Sequence, residues 1–186
     1  RVEDGNTTTD FDPEEIKRGI SISAALAPVE WKNVKINLVD VPGYFDFVGE
    51  SIEPLSVVRT VGIVVSSVGG ISVGAEKAWD AAVRQGNARM FIINQMDREN
   101  ADYDKVLHEL RDKYGSSVVP LIVPIGSAAS FKGVVNLLEN KAFEGAGKAL
   151  KEVPVPAELE GQVSQYIEEI TEAAAEADDE LLEKYF

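Results

Sequence analysis

Two short polar segments follow apolar runs, and each contains an aspartate. Residues 40–43 read Asp-Val-Pro-Gly, and residues 94–97 read Asn-Gln-Met-Asp, 54 positions further along the chain. A carboxylate at a strand end can hold a water on Mg²⁺, and a glycine beside it lets a backbone N–H approach a phosphate. The first segment is therefore a candidate phosphate-sensing loop, although a plain Pro-Gly turn after a strand has the same letters.

The second segment has the residue types of a loop that reads guanine. A carboxylate at Asp97 can accept two hydrogen bonds, from N1 and from the exocyclic amine of guanine. Asn94 would brace this loop, and Gln95 stands where Asn-Lys-x-Asp loops carry a lysine whose stem lies along the purine. The alternative is a strand-to-helix connection in which Asp97 caps a helix that begins near Glu99.

A sheet with parallel strands would place both segments at strand ends. The apolar runs at 34–40, 61–67 and 89–94 predict buried strands, and residues 75–85 and 101–114 predict helices. Strands that alternate with helices favour a parallel sheet, in which ligands bind beyond the carboxyl ends of the strands. The predicted fold class is therefore α/β, with three layers and a mostly parallel sheet.

The remaining segments have weaker patterns. Residues 1–20 are polar and predict a loop, residues 21–31 predict a hairpin with the strand that follows, and residues 45–58 predict a helix interrupted at Pro54. From about residue 118 the pattern becomes extended, and after Pro156 it predicts one long helix to the end of the chain.

Composition excludes several classes of protein. The 186 residues have a net charge of −14 and contain no cysteine. A broad basic face for nucleic acid, a disulfide framework and a thiolate metal site are therefore not expected. No apolar run approaches 18 residues, so the sequence predicts no membrane span and no membrane partner.

With Arg18-Gly19-Ile20-Ser21-Ile22 upstream, the two aspartate segments have the order of loops found in translational GTPases. The chain resembles the elongation factor G family, and RVEDGNTTTDF, PIGSAASFKGVVNLLENKA and AEADDELLEKYF are similar to stretches of that family. Tyr44 and Gln95 look more like its elongation factor G-like paralogues. The resemblance implies a P-loop-NTPase-like GTPase domain over 1–117 that is incomplete at its N-terminus, and part of an α+β inserted subdomain over 118–186.

The resemblance also implies roles for residues near the phosphates of GTP. Ser21 stands where the family has a threonine that coordinates Mg²⁺, and Asp40 would hold Mg²⁺ through water. Ile20 matches one side of a hydrophobic gate beside the attacking water. The N–H of Gly43 would meet the γ-phosphate.

Guanine recognition would fall to Asn94, Gln95 and Asp97. Tyr44 stands where the family has a histidine that orients the attacking water. A tyrosine hydroxyl is a poor general base near neutral pH, but it can place a water by hydrogen bonding, so slow hydrolysis is expected. His108 lies in the middle of a predicted helix and is interpreted as a solvated surface residue.

No G-x-x-x-x-G-K-[S/T] phosphate loop occurs in the sequence, and the family carries this loop further upstream. We therefore expect a fragment of a longer protein that binds nucleotide weakly or not at all by itself. Gly126-Ser127-Ala128 resembles a base-contact loop, but FKGVVNLLENKA after it is similar to the start of the inserted subdomain. This tripeptide is therefore not assigned to the base.

The implied function is GTP binding and Mg²⁺-dependent hydrolysis coupled to the ribosome in cytoplasmic protein synthesis. The alternatives are a GTP-binding ribosome-associated switch or protection module with little hydrolysis, and a scaffold that binds no nucleotide. The implied partners are the ribosome and, through the acidic last helix, its stalk protein; sequence-specific binding of nucleic acid is not expected. The predicted exposed contacts of that helix are Glu168, Glu169, Glu172 and Glu176, although most such charges only solvate a helix face.

Overall fold

A computed structural model describes residues 4–177 and 179–185 and divides the chain into two compact units. The first unit contains residues 1–64 and 72–92, and the second contains residues 65–71 and 93–186. Helices and strands alternate through the first of these, and a separate antiparallel sheet lies in the other. The α/β fold class is confirmed.

A β-hairpin follows a short helix at the start of the chain. The elements here are helix α1 (Pro13–Arg18), strands β1 (Ala25–Trp31) and β2 (Val34–Asp40), a 3₁₀ turn (Phe45–Phe47), helix α2 (Gly49–Val57), strand β3 (Thr60–Ser66), helix α3 (Val73–Gln85) and strand β4 (Ala88–Asn94). Lys32 and Asn33 join β1 to β2, with φ angles of 46° and 64°. Two left-handed residues are what a two-residue turn between right-twisted strands requires, so the predicted hairpin is confirmed.

The prediction of a loop over residues 1–20 is wrong for residues 13–18, which form α1. A carboxylate oxygen of Asp12 accepts the N–H of Glu14 at 2.8 Å, and Glu15 accepts the N–H of Asp12 at 3.1 Å. Pro13 occupies the first helical position, where its missing N–H costs no hydrogen bond. These reciprocal bonds form a capping box, and the letters Asp-Pro-Glu-Glu were its signal in the sequence.

Helix α2 continues through Pro54, so the predicted interruption is wrong. A proline removes one bond to the carbonyl four residues earlier, which here is Glu50 in the first turn. The next turn still forms, because the N–H of Val58 donates to the Pro54 carbonyl at 3.1 Å.

Strands β3 and β4 form a two-stranded sheet with α3 between them in the chain. The N–H of Ala88 donates to the Arg59 carbonyl at 2.9 Å, and that of Ser67 donates to the Asn94 carbonyl at 2.9 Å. Both partners therefore advance in the same direction, and the predicted parallel pairing is confirmed.

Full burial of the strands was predicted, and it is found on one face only. Ile63 and Val65 of β3 are 3% and 2% exposed, whereas Val64 between them is 56% exposed. On β2, Leu38 is 53% exposed, and this strand pairs only with β1 within the described chain. A strand is buried on both faces only when other helices or sheets cover both faces of its own sheet. The exposed side chains show that one face of these strands is not covered in this way.

An aromatic stack joins α3 to β4. The rings of Trp79 and Phe91 are parallel within 3°, with centroids 5.2 Å apart. The Arg89 guanidinium lies 4.7 Å from the Trp79 ring, within the range of a cation–π contact. Trp31, by contrast, is 63% exposed on the hairpin.

The second unit contains an antiparallel sheet in the strand order β5-β6-β7-β8. Its further elements are helix α4 (Tyr103–Tyr114), β5 (Ile122–Ile125), a 3₁₀ turn (Ala128–Ser130), β6 (Gly133–Asn136), β7 (Lys141–Glu144), a 3₁₀ turn (Gly147–Ala149), β8 (Lys151–Val153), a 3₁₀ turn (Ala157–Leu159), helix α5 (Glu160–Glu176) and helix α6 (Asp179–Tyr185). Its core is made by Leu107, Val123, Ile125, Val135, Leu137, Ala142, Val163 and Tyr166. This core joins α4, α5 and the sheet.

The predicted single helix after Pro156 is wrong, because α5 ends at Glu176 and a second helix begins at Asp179. His108 is exposed on α4, with Nε2 3.4 Å from a carboxylate oxygen of Asp112, so its interpretation as a surface residue is confirmed. None of the helices in the described residues has the length and apolar character needed to cross a bilayer.

Candidate functional site

Asp40 lies at the end of β2, where the sequence predicted it, and its carboxylate already has a partner. The Thr9 hydroxyl donates to Asp40 Oδ2 at 2.5 Å across 31 positions of sequence. Thr9 lies in the segment before α1, so this bond fixes that segment to the strand end. Thr9 was missed in the sequence, where nothing distinguishes it from Thr7 and Thr8.

Ser21 is half-buried and is held by the same early segment. Its hydroxyl donates to Asp10 Oδ1 at 2.6 Å. The neighbours of Ser21 are fixed by Glu15, which is 3% exposed and accepts the N–H groups of Ile22 at 2.9 Å and Ser23 at 3.1 Å. These backbone N–H groups, together with that of Asp12, lower the pKa of the Glu15 carboxyl.

The donors at this end of the first unit suit Mg²⁺ in their chemistry. Mg²⁺ takes hard oxygen ligands, usually one or two carboxylates with water and substrate phosphates. Asp40 supplies a carboxylate and Ser21 a hydroxyl, but each is hydrogen-bonded to another side chain. Among the described residues no group of three or more metal-binding side chains is found. These oxygen donors suit a magnesium ion whose other ligands would come from a nucleotide and water.

The loop after β2 keeps its glycine open and exposes its aromatic residues. A Cβ placed on Gly43 would meet nothing within 4 Å, so the space beside the α-carbon of this glycine is open. Tyr44 is 58% exposed at the start of the 3₁₀ turn. Phe45 beside it is in contact with Lys77 of α3, whose Nζ lies 3.6 Å from the ring centroid. Ile20 is half-buried.

The base loop, residues 94–97, is fixed by hydrogen bonds to the main chain of Gln95. Asn94 Oδ1 accepts the N–H of Gln95 at 2.8 Å, as expected of a residue that braces the loop. The Ser67 hydroxyl donates to the Gln95 carbonyl at 2.8 Å, and Ser67 is only 1% exposed. The N–H of Arg98 closes the turn on the same carbonyl at 3.0 Å. These bonds hold Gln95 in the left-handed region at φ 66°.

Asp97 does not cap the helix that follows it. Helix α4 begins at Tyr103, and Asp102 caps it by accepting the N–H of Lys105 at 2.9 Å. Asp97 is exposed and has no hydrogen-bond partner within the described part of the chain. The structural alternative for Asp97 is therefore excluded, and its carboxylate is available to a ligand.

The tripeptide Gly126-Ser127-Ala128 contacts the base loop through one backbone bond. The N–H of Ala128 donates to the Met96 carbonyl at 2.8 Å. Gly126 has φ 78°, and a Cβ there would clash with the Ser130 carbonyl oxygen, so only glycine fits this turn. The tripeptide supports the main chain of Met96, and the described residues show no side-chain hydrogen bond between it and residues 94–97.

The acidic face of α5 is less open than predicted. Glu169 pairs with Arg111 of α4 at 2.5 Å, and both side chains are only 27% exposed. The prediction that Glu169 is exposed is therefore wrong, because Glu169 joins two helices of the second unit. Glu168, Glu172 and Glu176 are exposed.

Comparisons with known proteins show which family the chain belongs to. The chain belongs to the family described as the elongation factor Tu GTP binding domain, whose model matches residues 1–179. The predicted membership of the translational GTPases is therefore confirmed.

Relatives within the family include elongation factor G proteins. The chain is 36% identical, over 95% of its length, to an "Elongation factor G-like protein" of Thermotoga maritima, and 37% identical over its full length to "Elongation factor G" of Granulibacter bethesdensis. It spans about a quarter of the length of these relatives, 25% and 27% respectively. A crystal structure of a protein from Thermus thermophilus superposes on all of the chain with a TM-score of 0.91 at 34% identity, and the chain covers 28% of that protein.

Proposed function

We propose that the intact protein containing this chain binds GTP and hydrolyses it in ribosome-coupled protein synthesis. One observation carries the proposal: Asp97 has an exposed carboxylate without a partner in the described residues, on a loop whose backbone is fixed by hydrogen bonds to the buried Ser67 hydroxyl and to the Asn94 side chain. A fixed, unpaired acceptor suits recognition of the two neighbouring donors on guanine. Membership of the GTP-binding family supports the same function.

Guanine would be read by residues of the base loop. Asp97 would accept from N1 and the exocyclic amine of the base, and Asn94 would keep the loop in its conformation. An adenine nucleotide lacks that pair of donors and would leave a charged acceptor unsatisfied, which weakens its binding strongly.

At the phosphate end, Ser21 and Asp40 would hold Mg²⁺, directly and through water respectively. Bound Mg²⁺ would neutralise charge that develops on the phosphate oxygens. The N–H of Gly43 would donate to the γ-phosphate, and Ile20 would form part of the gate beside the attacking water. Asp40 Oδ2 would exchange its bond from Thr9 for a water on the metal, which ties nucleotide binding to Thr9. Ser21 would keep its bond to Asp10, because its oxygen has lone pairs left for Mg²⁺.

Tyr44 determines how fast hydrolysis proceeds. Its exposed hydroxyl would position the water but would not take a proton readily near neutral pH, so basal turnover is slow. Single-turnover GTP hydrolysis by the intact protein, with and without ribosomes, tests this directly. Tyr44→His is expected to raise the ribosome-stimulated rate; unchanged basal and stimulated rates would remove Tyr44 from the mechanism.

Titration of the intact protein with a fluorescent GDP analogue tests the function as a whole. Binding that GTP and GDP displace, and that ATP does not, supports it. If the intact protein binds no guanine nucleotide, the proposed function is wrong and the protein is a scaffold that does not bind nucleotide.

The exposed side of α5 would meet a ribosomal partner, the stalk protein. Glu168, Glu172 and Glu176 would supply negative charge, which mainly accelerates association. Glu169 is not assigned to this surface because it pairs with Arg111. Salt-dependent binding of the stalk protein should be lost in Glu168→Lys with Glu176→Lys, and unchanged binding in that variant would remove the assignment.

A further inference from the structure

The side chain of Gln95 is held by a residue outside the base loop. Ser66, the last residue of β3, donates its hydroxyl to Gln95 Oε1 at 2.8 Å. Ser66 Oγ also accepts the N–H groups of Val68 at 3.2 Å and Gly69 at 3.1 Å. The hydroxyl is therefore oriented by two backbone donors, and its one proton points to Gln95.

This bond determines which end of the Gln95 amide is available. With Oε1 occupied, the remaining hydrogen-bonding group is the NH₂ of Nε2, which has no partner in the residues that the structure describes. An amide has a donor end and an acceptor end, and a rotation by 180° would exchange them. Ser66 favours the orientation that presents donors.

We propose that Ser66 is a positioning residue for nucleotide recognition: it fixes the Gln95 amide so that its NH₂ group donates to acceptor atoms of a bound guanine nucleotide. The inference rests on the proposed function, and it deepens the role of the base loop. A lysine at position 95 would present donors whatever its rotation, since an ammonium group has no acceptor. Glutamine presents donors only when its oxygen is engaged, and Ser66 engages it.

Ser66 and Ser67 have different tasks in this arrangement. Ser67 is buried and bonds to the Gln95 main chain, so it fixes the backbone. The bond from Ser66 is between side chains on the exposed side of the loop. Loss of the Ser66 hydroxyl should therefore change nucleotide affinity through the Gln95 side chain, without unfolding the loop.

A double-mutant cycle on the intact protein tests the proposal, with GDP dissociation measured by stopped-flow fluorescence. Ser66→Ala and Gln95→Met are each expected to accelerate GDP dissociation about fivefold, which is the scale of one hydrogen bond. Gln95→Met keeps the length of the stem and removes the amide. Because both changes remove the same interaction, the double variant should dissociate no faster than either single variant.

The controls separate positioning from a structural role. Ser66→Thr keeps the hydroxyl and should restore the wild-type rate, and Ser56→Ala removes a hydroxyl that bonds only to the Glu53 carbonyl within α2. The bonds from Val68 and Gly69 to Ser66 are lost in Ser66→Ala whatever residue stands at 95, so a purely structural role would give additive effects.

Each outcome decides a different point. Additive effects, or an unchanged rate in Ser66→Ala, would overturn the role of Ser66 while GDP binding by the wild type still supports the proposed function. If Ser66→Ala does not fold, the rate of GDP dissociation in Gln95→Met decides. A wild-type rate in Gln95→Met would overturn the role of Ser66. A fivefold faster rate in Gln95→Met, together with a wild-type rate in Ser66→Thr, would support it. A wild-type protein that binds no GDP would refute the inference and the proposed function together.

Discussion

The switch residues Ser21 and Asp40 of the first unit and the base loop of the second, residues 94–97, are fixed by different kinds of hydrogen bond. Asp40 accepts a side-chain hydrogen bond from Thr9, and Ser21 donates one to Asp10. In the base loop, the Gln95 main chain is held by a buried serine and by the turn itself. The first kind can be exchanged for bonds to a ligand, and the second cannot without breaking the loop.

This difference suggests separate roles: recognition of the nucleotide base by the base loop, and response to metal and phosphate by the switch residues. Under the proposed function, a base loop that is already formed would select its nucleotide at little conformational cost. Switch groups that exchange one partner for another can report whether a metal ion and a phosphate are present. Substitutions in and around the base loop should therefore change nucleotide affinity and the stability of the loop. Substitutions around Asp40 should change the dependence of GTP binding on magnesium.

The largest effect is expected for Asp97→Asn. The substitution weakens two hydrogen bonds to a charged acceptor, each worth about 1.5–3 kcal/mol, so GDP affinity should fall at least about 100-fold. Competition titration with the intact protein measures it. Asp112→Asn, on the exposed face of α4, is the matched control and should bind GDP normally. Equal affinity of the two variants would show that Asp97 does not read the base.

Ser67→Ala should lower stability rather than change selectivity. The hydroxyl is buried and donates to the Gln95 carbonyl, and such a bond contributes about 1 kcal/mol to the free energy of unfolding. Urea unfolding of this chain checks the value. Ser56→Ala, whose hydroxyl is exposed, should be close to wild type, and a similar loss in both variants would contradict a fixed base loop.

Thr9→Val should strengthen magnesium-dependent GTP binding about threefold to tenfold, because Asp40 no longer gives up a hydrogen bond to Thr9 when it turns to the metal. The Mg²⁺ concentration at half-maximal GTP binding measures the change. Thr8→Val makes the same substitution one position away, at a residue without a partner in the described part of the chain, and should have no effect. Weaker binding in Thr9→Val would mean that this bond belongs to the active arrangement.

Glu15→Gln is expected to have the smallest effect, and it should depend on pH. The pKa of Glu15 is lowered in the folded chain, so its charge stabilises the fold above the ordinary glutamate pKa of 4.5 and loses that effect as the pH falls. The difference in melting temperature between wild type and Glu15→Gln should therefore be largest near pH 7 and shrink below about pH 4. A difference that does not vary with pH would assign the effect of Glu15 to packing alone.

Local sequence patterns predicted the helices and strands best where the structure depends on residues close together in the chain. The turn at Lys32-Asn33 and the strand end at Asp40 depend on neighbouring residues, so both were found. The capping box at Asp12 was readable in the same way, but the polar surroundings concealed it. The division of the chain at residues 117 and 118 stays a prediction.

Partners distant in sequence could not be predicted. Nothing near Asp40 in the chain points to Thr9, which lies 31 positions away, or near Gln95 to Ser66, 29 positions away. Burial of β2 was overestimated for a related reason. Alternation of apolar and polar residues along a strand shows which side chains share a face, but it does not show whether another helix or sheet covers that face.

The stack of Trp79 on Phe91 offers a way to follow the first unit by tryptophan fluorescence. The sequence has two tryptophans, and Trp31 is the exposed one on the hairpin. Replacing Trp31 by phenylalanine would leave Trp79 as the single tryptophan, stacked on Phe91 and in contact with Arg89. Tryptophan emission would follow the separation of α3 from β4, and the second unit, which contains no tryptophan, would not contribute to it.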